Sequence, residues 1–247
     1  MSFGLARGRD LDDAPGVIGV ARDQLPPLPD DILTNPEGGF RDPRAWFGHP
    51  DRRLEIEIGC GKGGFILQEA AANPMTNYLG MEHAREFYMY AADRVRRRGL
   101  TNTRMLCADA VEFMRWRCPS AIASVIHLYF SDPWPKTRHH KNRVVQHAFL
   151  ADAWRILLPG GELRVVTDHD ELWAWDEAHF ALWTTPGAEL PGGLRERFAL
   201  PAQPYERHAF TAPEWAEEGE LVGTNYERKF RREDRPAHAC VLRKRPA

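Results

Sequence analysis

A chain of 247 residues with 43% hydrophobic and 28% charged side chains has an ordinary globular composition and enough length for a sizeable core. Its 33 Lys and Arg stand against 35 Asp and Glu, so any affinity for a polyanion or an anionic membrane has to come from local clusters. The most apolar run, residues 124–130, includes His127 and falls far short of the roughly 20 apolar residues a membrane span needs. No apolar segment follows Arg7, Arg9 and Asp10, so a secretory signal is not expected. Cys60, Cys107, Cys118 and Cys240 are scattered without a CxxC pair, which fits reduced thiols, a cytoplasmic location and no zinc site.

Residues 1–50 carry seven of the 19 prolines and seven glycines without a sustained period, and are expected to form an irregular arm with little regular structure. From residue 51 to the end at 247 short β-rich runs alternate with helical periods, the pattern of βαβ units in one domain. The runs 54–58, 78–81, 104–107, 124–130 and 162–167 predict strands. The spacing of Ala84, Phe87, Tyr88, Ala91, Ala92 and Val95 predicts a helix over 84–98 stopped at Gly99. Val145, Phe149, Ala153 and Leu157 mark a second helix ended by Pro159, and a third is expected over 171–183. Four prolines and Gly192-Gly193 make 185–204 a long connection; 211–218 reads as a short capped helix and 239–242 as a last strand. The fold class expected is α/β, a doubly wound, mostly parallel, Rossmann-like sheet.

Directly after the first predicted strand comes EIGCGKGG, residues 57–64, with Gly59, Gly61 and Gly64 in GxGxxG spacing. Such a turn lets a ligand approach the backbone, although the motif alone also describes a tight turn with no ligand. Glu82 follows at the distance of a ribose-binding acid, and Asp109 and Asp132 close two further strands. In an open α/β sheet Glu57, Glu82, Asp109 and Asp132 are expected on one rim, against the plain alternative that each is a helix cap or turn residue. A carboxylate at Glu57 would repel a pyrophosphate but suits the ammonium and sulfonium of S-adenosylmethionine, which favours that cofactor over a nicotinamide dinucleotide.

With DPWPKTRHHKNRVVQ at 132–146, TDH at 167–169 and TNYERK at 224–229, residues 54–245 resemble bacterial tRNA (guanine-N7-)-methyltransferases of the TrmB type. The resemblance implies a class I S-adenosylmethionine-dependent methyltransferase with a seven-stranded sheet, acting on N7 of a guanosine in the tRNA variable loop. It implies cofactor contacts at Glu57, Gly59, Gly61, Glu82, Asp109, Ala110 and Asp132, with Asp132 also the catalytic position. Substrate contacts are implied at Lys136, Arg138, His139, His140, Lys141, Asn142, Arg143, Asp168, Thr224, Asn225, Tyr226 and Glu227. Thr137 and Asn142 stand where the family often carries Lys or Arg.

Read from the residues themselves, Lys136, Arg138, Lys141 and Arg143 form a positive loop beside Asp132, where a solvated surface run is the plain alternative. Arg228, Lys229, Arg231, Arg232 and Arg235 form a second basic cluster, with Tyr226 and Phe230 as stacking faces or core aromatics. Trp134 between two prolines suits a stacked base and an inward-packed turn equally. His139-His140 lacks a carboxylate at ligand spacing, so no metal is expected. Asp132, Asp168 and Glu227 are the candidates for accepting from a guanine edge. The partners expected are tRNA and no membrane, with a monomer or homodimer. Rival readings are a small-molecule methyltransferase of the same fold, a non-catalytic RNA-binding protein retaining it and, last, a nicotinamide oxidoreductase.

Overall fold

The β-rich runs after residue 51 each form a strand, and the computed structural model, which describes residues 4–5, 8–233 and 235–245, divides them between two compact units. The first unit comprises residues 1–119 with 213–217, the second 120–212 with 218–247. The arm expectation at residues 1–3, 6 and 7, and the domain expectation at 234, 246 and 247, lie outside the described residues.

In the first unit β1 (Gly19–Ala21), β2 (Leu54–Ile58), β3 (Asn77–Glu82) and β4 (Thr103–Cys107) pair in parallel in the order β1-β4-β3-β2. Helices α1 (Ile66–Ala72), α2 (Arg85–Arg97) and α3 (Ala110–Trp116) connect or follow them. The apolar stripe of α2 is buried through Tyr88, Ala91, Ala92 and Val95 among Ile66, Leu67, Tyr78 and Met105. Its stop is a Schellman cap: Gly99 at φ 64° lets its own N–H reach the Arg96 carbonyl and the Leu100 N–H reach that of Val95.

Among its described residues the arm is largely irregular, as its composition suggests. Besides three short 3₁₀ turns it supplies β1, one strand more than the seven expected. The Tyr88 hydroxyl donates to Asp13 Oδ2 at 2.7 Å, and a Cβ on Gly19 would collide with that hydroxyl, which is why the chain carries glycine there.

In the second unit β5 (Ala123–Tyr129) pairs in parallel with β6 (Leu157–Thr167), while β7 (Tyr205–His208) and β8 (His238–Lys244) add antiparallel pairings in the order β5-β6-β8-β7. Helices α4 (His147–Ile156), α5 (Asp170–Thr184), α6 (Leu194–Arg197) and α7 (Asn225–Arg231) complete it. Phe149, Leu150, Phe180, Trp183 and Tyr205 fill the core, with the Tyr205 hydroxyl donating to the Leu150 carbonyl at 3.0 Å. Three parallel pairings within the first unit, and one parallel and two antiparallel within the second, belong to a mostly parallel, Rossmann-like α/β fold.

The helix expected over 211–218 does not form; residues 211–213 are irregular and 214–219 run through turns. Trp215 is drawn instead to the first unit, where its Nε1 donates to Glu69 Oε2 at 2.6 Å and its ring lies 5.9 Å from that of Phe65. A tertiary anchor of this kind overrides a weak local capping signal.

Candidate active site

The turn after β2 is built by its glycines. Gly59, Gly61 and Gly63 have φ of 68°, 53° and 70°, a region that side chains rarely adopt. Gly59 and Cys60 both donate to the Met81 carbonyl, at 2.9 and 3.1 Å, which fastens the turn to β3. The third glycine in the left-handed region is Gly63, not Gly64: a Cβ there would lie 3.2 Å from Ala91 Cβ, so Gly63 serves helix packing. At Gly59 and Gly61 a Cβ would point into open space, which leaves their backbone free for a ligand to approach.

Two of the four predicted acids meet at this turn. Glu82, at the end of β3, accepts from Gly61 N at 2.9 Å through Oε2 and from Ala84 N at 2.8 Å through Oε1. Glu57 is buried beneath, and its Oε2 has no hydrogen-bond partner among the described residues. Burial pushes the Glu57 carboxyl up to about 8; the Ile66 N–H opposes this, and Glu82 and Glu69 add to it. A buried carboxyl with a vacant acceptor, beside a second acid and an open glycine backbone, fits a ligand bearing an ammonium group and hydroxyl donors. S-adenosylmethionine meets that requirement.

Glu57 also sets a pH dependence. A carboxyl whose folded value lies above its unfolded one, about 4.3, favours the protonated fold, so its contribution is present below that pH and is lost as pH rises towards about 8. Glu57→Gln keeps an acceptor for Ile66 N–H and removes the charge. The ligand-free variant is expected to melt about 5 °C above the parent at pH 8.5 and close to it at pH 4.5, as measured by calorimetry; equal melting points at both pH values would exclude the effect.

Asp109 is exposed and caps α3, accepting from Glu112 N at 2.9 Å, with Ala110 as the first helical residue. The cap reading is thus realised, and the carboxylate retains a second oxygen. Beside it a shallow pocket is lined by Leu25, Ala108, Asp109, Glu112, Phe113 and Arg117. Leu25 brings the arm into this site, and Arg117 Nη1 holds it there by donating to the Pro26 carbonyl at 2.7 Å. No periodicity or motif in the arm marks Leu25.

The second unit carries the predicted substrate residues. Asp132 is exposed after β5, between Phe130 at φ 54° and Trp134 at φ 42°, both non-glycine residues in the left-handed region. Strain of this kind persists only where surrounding contacts enforce it. Lys136 is exposed just before a 3₁₀ turn (Thr137–Asn142) on which Arg138, Lys141 and Asn142 are exposed, with His139 packed edge-on against Trp134 at 5.7 Å. His140 is partly buried, its ring 5.5 Å from that of Trp175. Arg143, in contrast, is only 2% exposed, with its guanidinium inside the unit.

Asp168, after β6, is paired with Arg235 and lies 3.4 Å from the Tyr226 hydroxyl. Tyr226 is half exposed and rests on Phe130 and Phe230 at 5.1 and 5.8 Å, while Phe230 is core. Burial, with Glu233 and Asp132 nearby, raises the Tyr226 hydroxyl's pKa above its ordinary value. Thr224 caps α7, accepting from Glu227 N at 3.1 Å, and Asn225 is exposed beside it. The Glu227 carboxylate is buried and accepts from Leu221, Val222 and Gly223 N at 2.5, 2.9 and 2.8 Å. Glu227 therefore anchors the 221–224 turn, and its oxygens face backbone amides. In the second basic cluster Arg228 is tied to buried Glu220 at 2.6 Å, whereas Lys229, Arg231 and Arg232 are exposed.

Among the described residues no group of His, Cys, Asp or Glu is arranged to hold a metal, and no helix is long and apolar enough to cross a membrane. A family model described as a putative methyltransferase matches residues 51–185, more than half of the chain. A tRNA (guanine-N(7)-)-methyltransferase of Nitrobacter hamburgensis is 37% identical over 179 residues, covering 72% of this chain and 68% of that one. One of the same name from Staphylococcus aureus is 42% identical over 130 residues, 53% of this chain and 60% of the relative. The 16S rRNA methyltransferase KamB superposes with a TM-score of 0.51 at 17% identity, covering 90% of this chain and 96% of that one, a likeness in fold alone.

Proposed function

Because the chain belongs to the bacterial TrmB-type family of tRNA (guanine-N7-)-methyltransferases, we propose that it methylates N7 of a guanosine in the tRNA variable loop, in the cytoplasm and as a monomer or homodimer. The observation that carries the reading is the buried Glu57 oxygen, without a partner among the described residues, beside Glu82 and the open Gly59 and Gly61 backbone, an acceptor-rich cluster in the first unit. S-adenosylmethionine, when bound, supplies an electrophilic methyl group on a sulfonium. Glu57 would hold its ammonium, Glu82 its ribose hydroxyls, and Asp109 with Ala110 its adenine.

The acceptor chemistry falls to the second unit. Guanine N7 has a free lone pair and no proton, so no side chain has to act as a base there, and positioning is the main task. Asp132 is exposed and would accept from guanine N1–H and the amino group, which selects guanine over adenine and opposes the positive charge that develops on the ring. The half-exposed Tyr226 face would stack on a base, with Asp168 orienting its hydroxyl. Lys136, Arg138 and Lys141 would follow the phosphates.

Incubation with labelled S-adenosylmethionine and unmodified tRNA, followed by nucleoside analysis, is expected to place the label in 7-methylguanosine. Label in a small molecule or protein alone would overturn the reading in favour of a small-molecule or protein methyltransferase. Neutralising Lys136, Arg138 and Lys141 together is expected to flatten the slope of log affinity against log salt by about 2, since each neutralised phosphate releases condensed cations. Filter binding over a salt series measures it, and an unchanged slope would move RNA entry to Lys229, Arg231 and Arg232.

A further inference from the structure

Arg143 is the one cation of the basic loop whose side chain is enclosed. Its Nε donates to the carbonyl of Pro133, the residue following Asp132, at 2.9 Å. Its Nη2 donates to Glu171 Oε1 at 2.6 Å, and the guanidinium lies 5.2 Å from the centre of the Trp175 ring. Both partners belong to α5, and Trp175 reaches back by donating from Nε1 to the Val145 carbonyl at 2.8 Å. The backbone carbonyls of His140 and Arg143 in turn accept from Gln146 Nε2, at 3.0 and 3.3 Å. A guanidinium used in this way cannot reach a phosphate without giving up its carbonyl, carboxylate and ring together.

We propose that Arg143 is a positioning residue for methyl transfer: it ties the Asp132-bearing loop to α5 and thereby sets turnover, without contacting RNA phosphate. The loop requires such a tie, because Phe130 and Trp134 on either side of Asp132 both sit in the left-handed region. Asp176, whose Oδ1 has no partner among the described residues, is a carboxyl that burial pushes up to about 8 and that the Arg143 charge offsets only in part. The kinetic part of the proposal rests on the methyl-transfer reading; the loop-ordering part does not.

The experiment compares Arg143→Ala, Arg143→Lys and Glu171→Gln in the full chain, reading single-turnover methylation, tRNA affinity across a salt series and hydrogen exchange of residues 130–146. Displacing a reacting group by about 1 Å can cost on the order of a hundredfold. A ten- to hundredfold loss of rate is therefore expected for Arg143→Ala and nearly as much for Arg143→Lys, which keeps the charge and loses the fork. Glu171→Gln, at a partly exposed position, is expected to fold normally, lose roughly three- to tenfold, and show faster exchange confined to the loop. The salt slope should stay at its parent value in all three. A near-normal rate in Arg143→Lys, a flattened slope in Arg143→Ala, or unchanged loop exchange in Glu171→Gln would each overturn the assignment. If Arg143→Ala does not fold, the Lys and Gln variants decide. A parent protein that transfers no methyl to tRNA defeats the functional reading separately, and loop exchange then still decides whether Arg143 and Glu171 brace the segment.

Discussion

Asp132→Asn is expected to lower single-turnover methylation by roughly 10² to 10³ while leaving cofactor affinity within a few-fold of the parent. The substitution is isosteric, so the loop between Phe130 and Trp134 keeps its shape, and what changes is the charge and one acceptor. An Asn side chain that turns its oxygen towards guanine N1–H presents its amide hydrogens to the exocyclic amine, so one of two hydrogen bonds becomes a donor facing a donor. The developing charge on the purine also loses its counter-ion. Because N7 carries no proton, the remaining activity should not follow the titration of a base: the variant and the parent are expected to share the shape of their pH profiles between pH 6 and 9. A near-parental rate for Asp132→Asn would transfer the role to Asp168, whose pairing with Arg235 would then have to open on binding.

Much of the fold was legible because each βα unit is locally consistent. The strand at Leu54–Ile58 is recovered at its predicted bounds, and the helix over Arg85–Arg97 lies within one residue of its predicted ends because its apolar stripe and its Gly99 stop agree. The acids of the first unit were legible for the same reason: strand ends are visible in sequence, and acids at strand ends stand out. What escaped depends on long-range contacts. Trp215 pairs with Glu69, a residue 146 positions away, and unmakes a helix that its own neighbourhood favours. Arg143 and Arg138 look alike in a charge run, yet one is enclosed by α5 and the other exposed. Glu227 reads as one more acid in a motif until three backbone amides are found on its carboxylate. Burial of a charged side chain is set by elements that pack from elsewhere, and spacing does not encode it.

The other large effect concerns Glu82. Glu82→Ala is expected to weaken S-adenosylmethionine binding by about 1.5 to 3 kcal/mol, roughly ten- to a hundredfold in Kd, measured by calorimetric titration. Two losses combine. The carboxylate is a charged acceptor for ribose hydroxyls, and it also fastens the turn: Gly61 N and Ala84 N donate to its two oxygens at 2.9 and 2.8 Å. Without it the Gly61 amide has no carboxylate partner and the glycine backbone loses its set approach to a ligand. Glu82→Gln separates the two contributions, since one amide oxygen can still accept from Gly61 or from a hydroxyl, but not with a full charge; an intermediate Kd is expected. Glu82 also contributes to the upward push on Glu57, so its removal should bring the Glu57 carboxyl towards the ordinary carboxylate range and reduce the pH dependence of stability described above. An unchanged Kd in Glu82→Ala would mean that the end of β3 does not border the nucleoside, and would leave the pocket at Leu25 and Asp109 as the place to look for it.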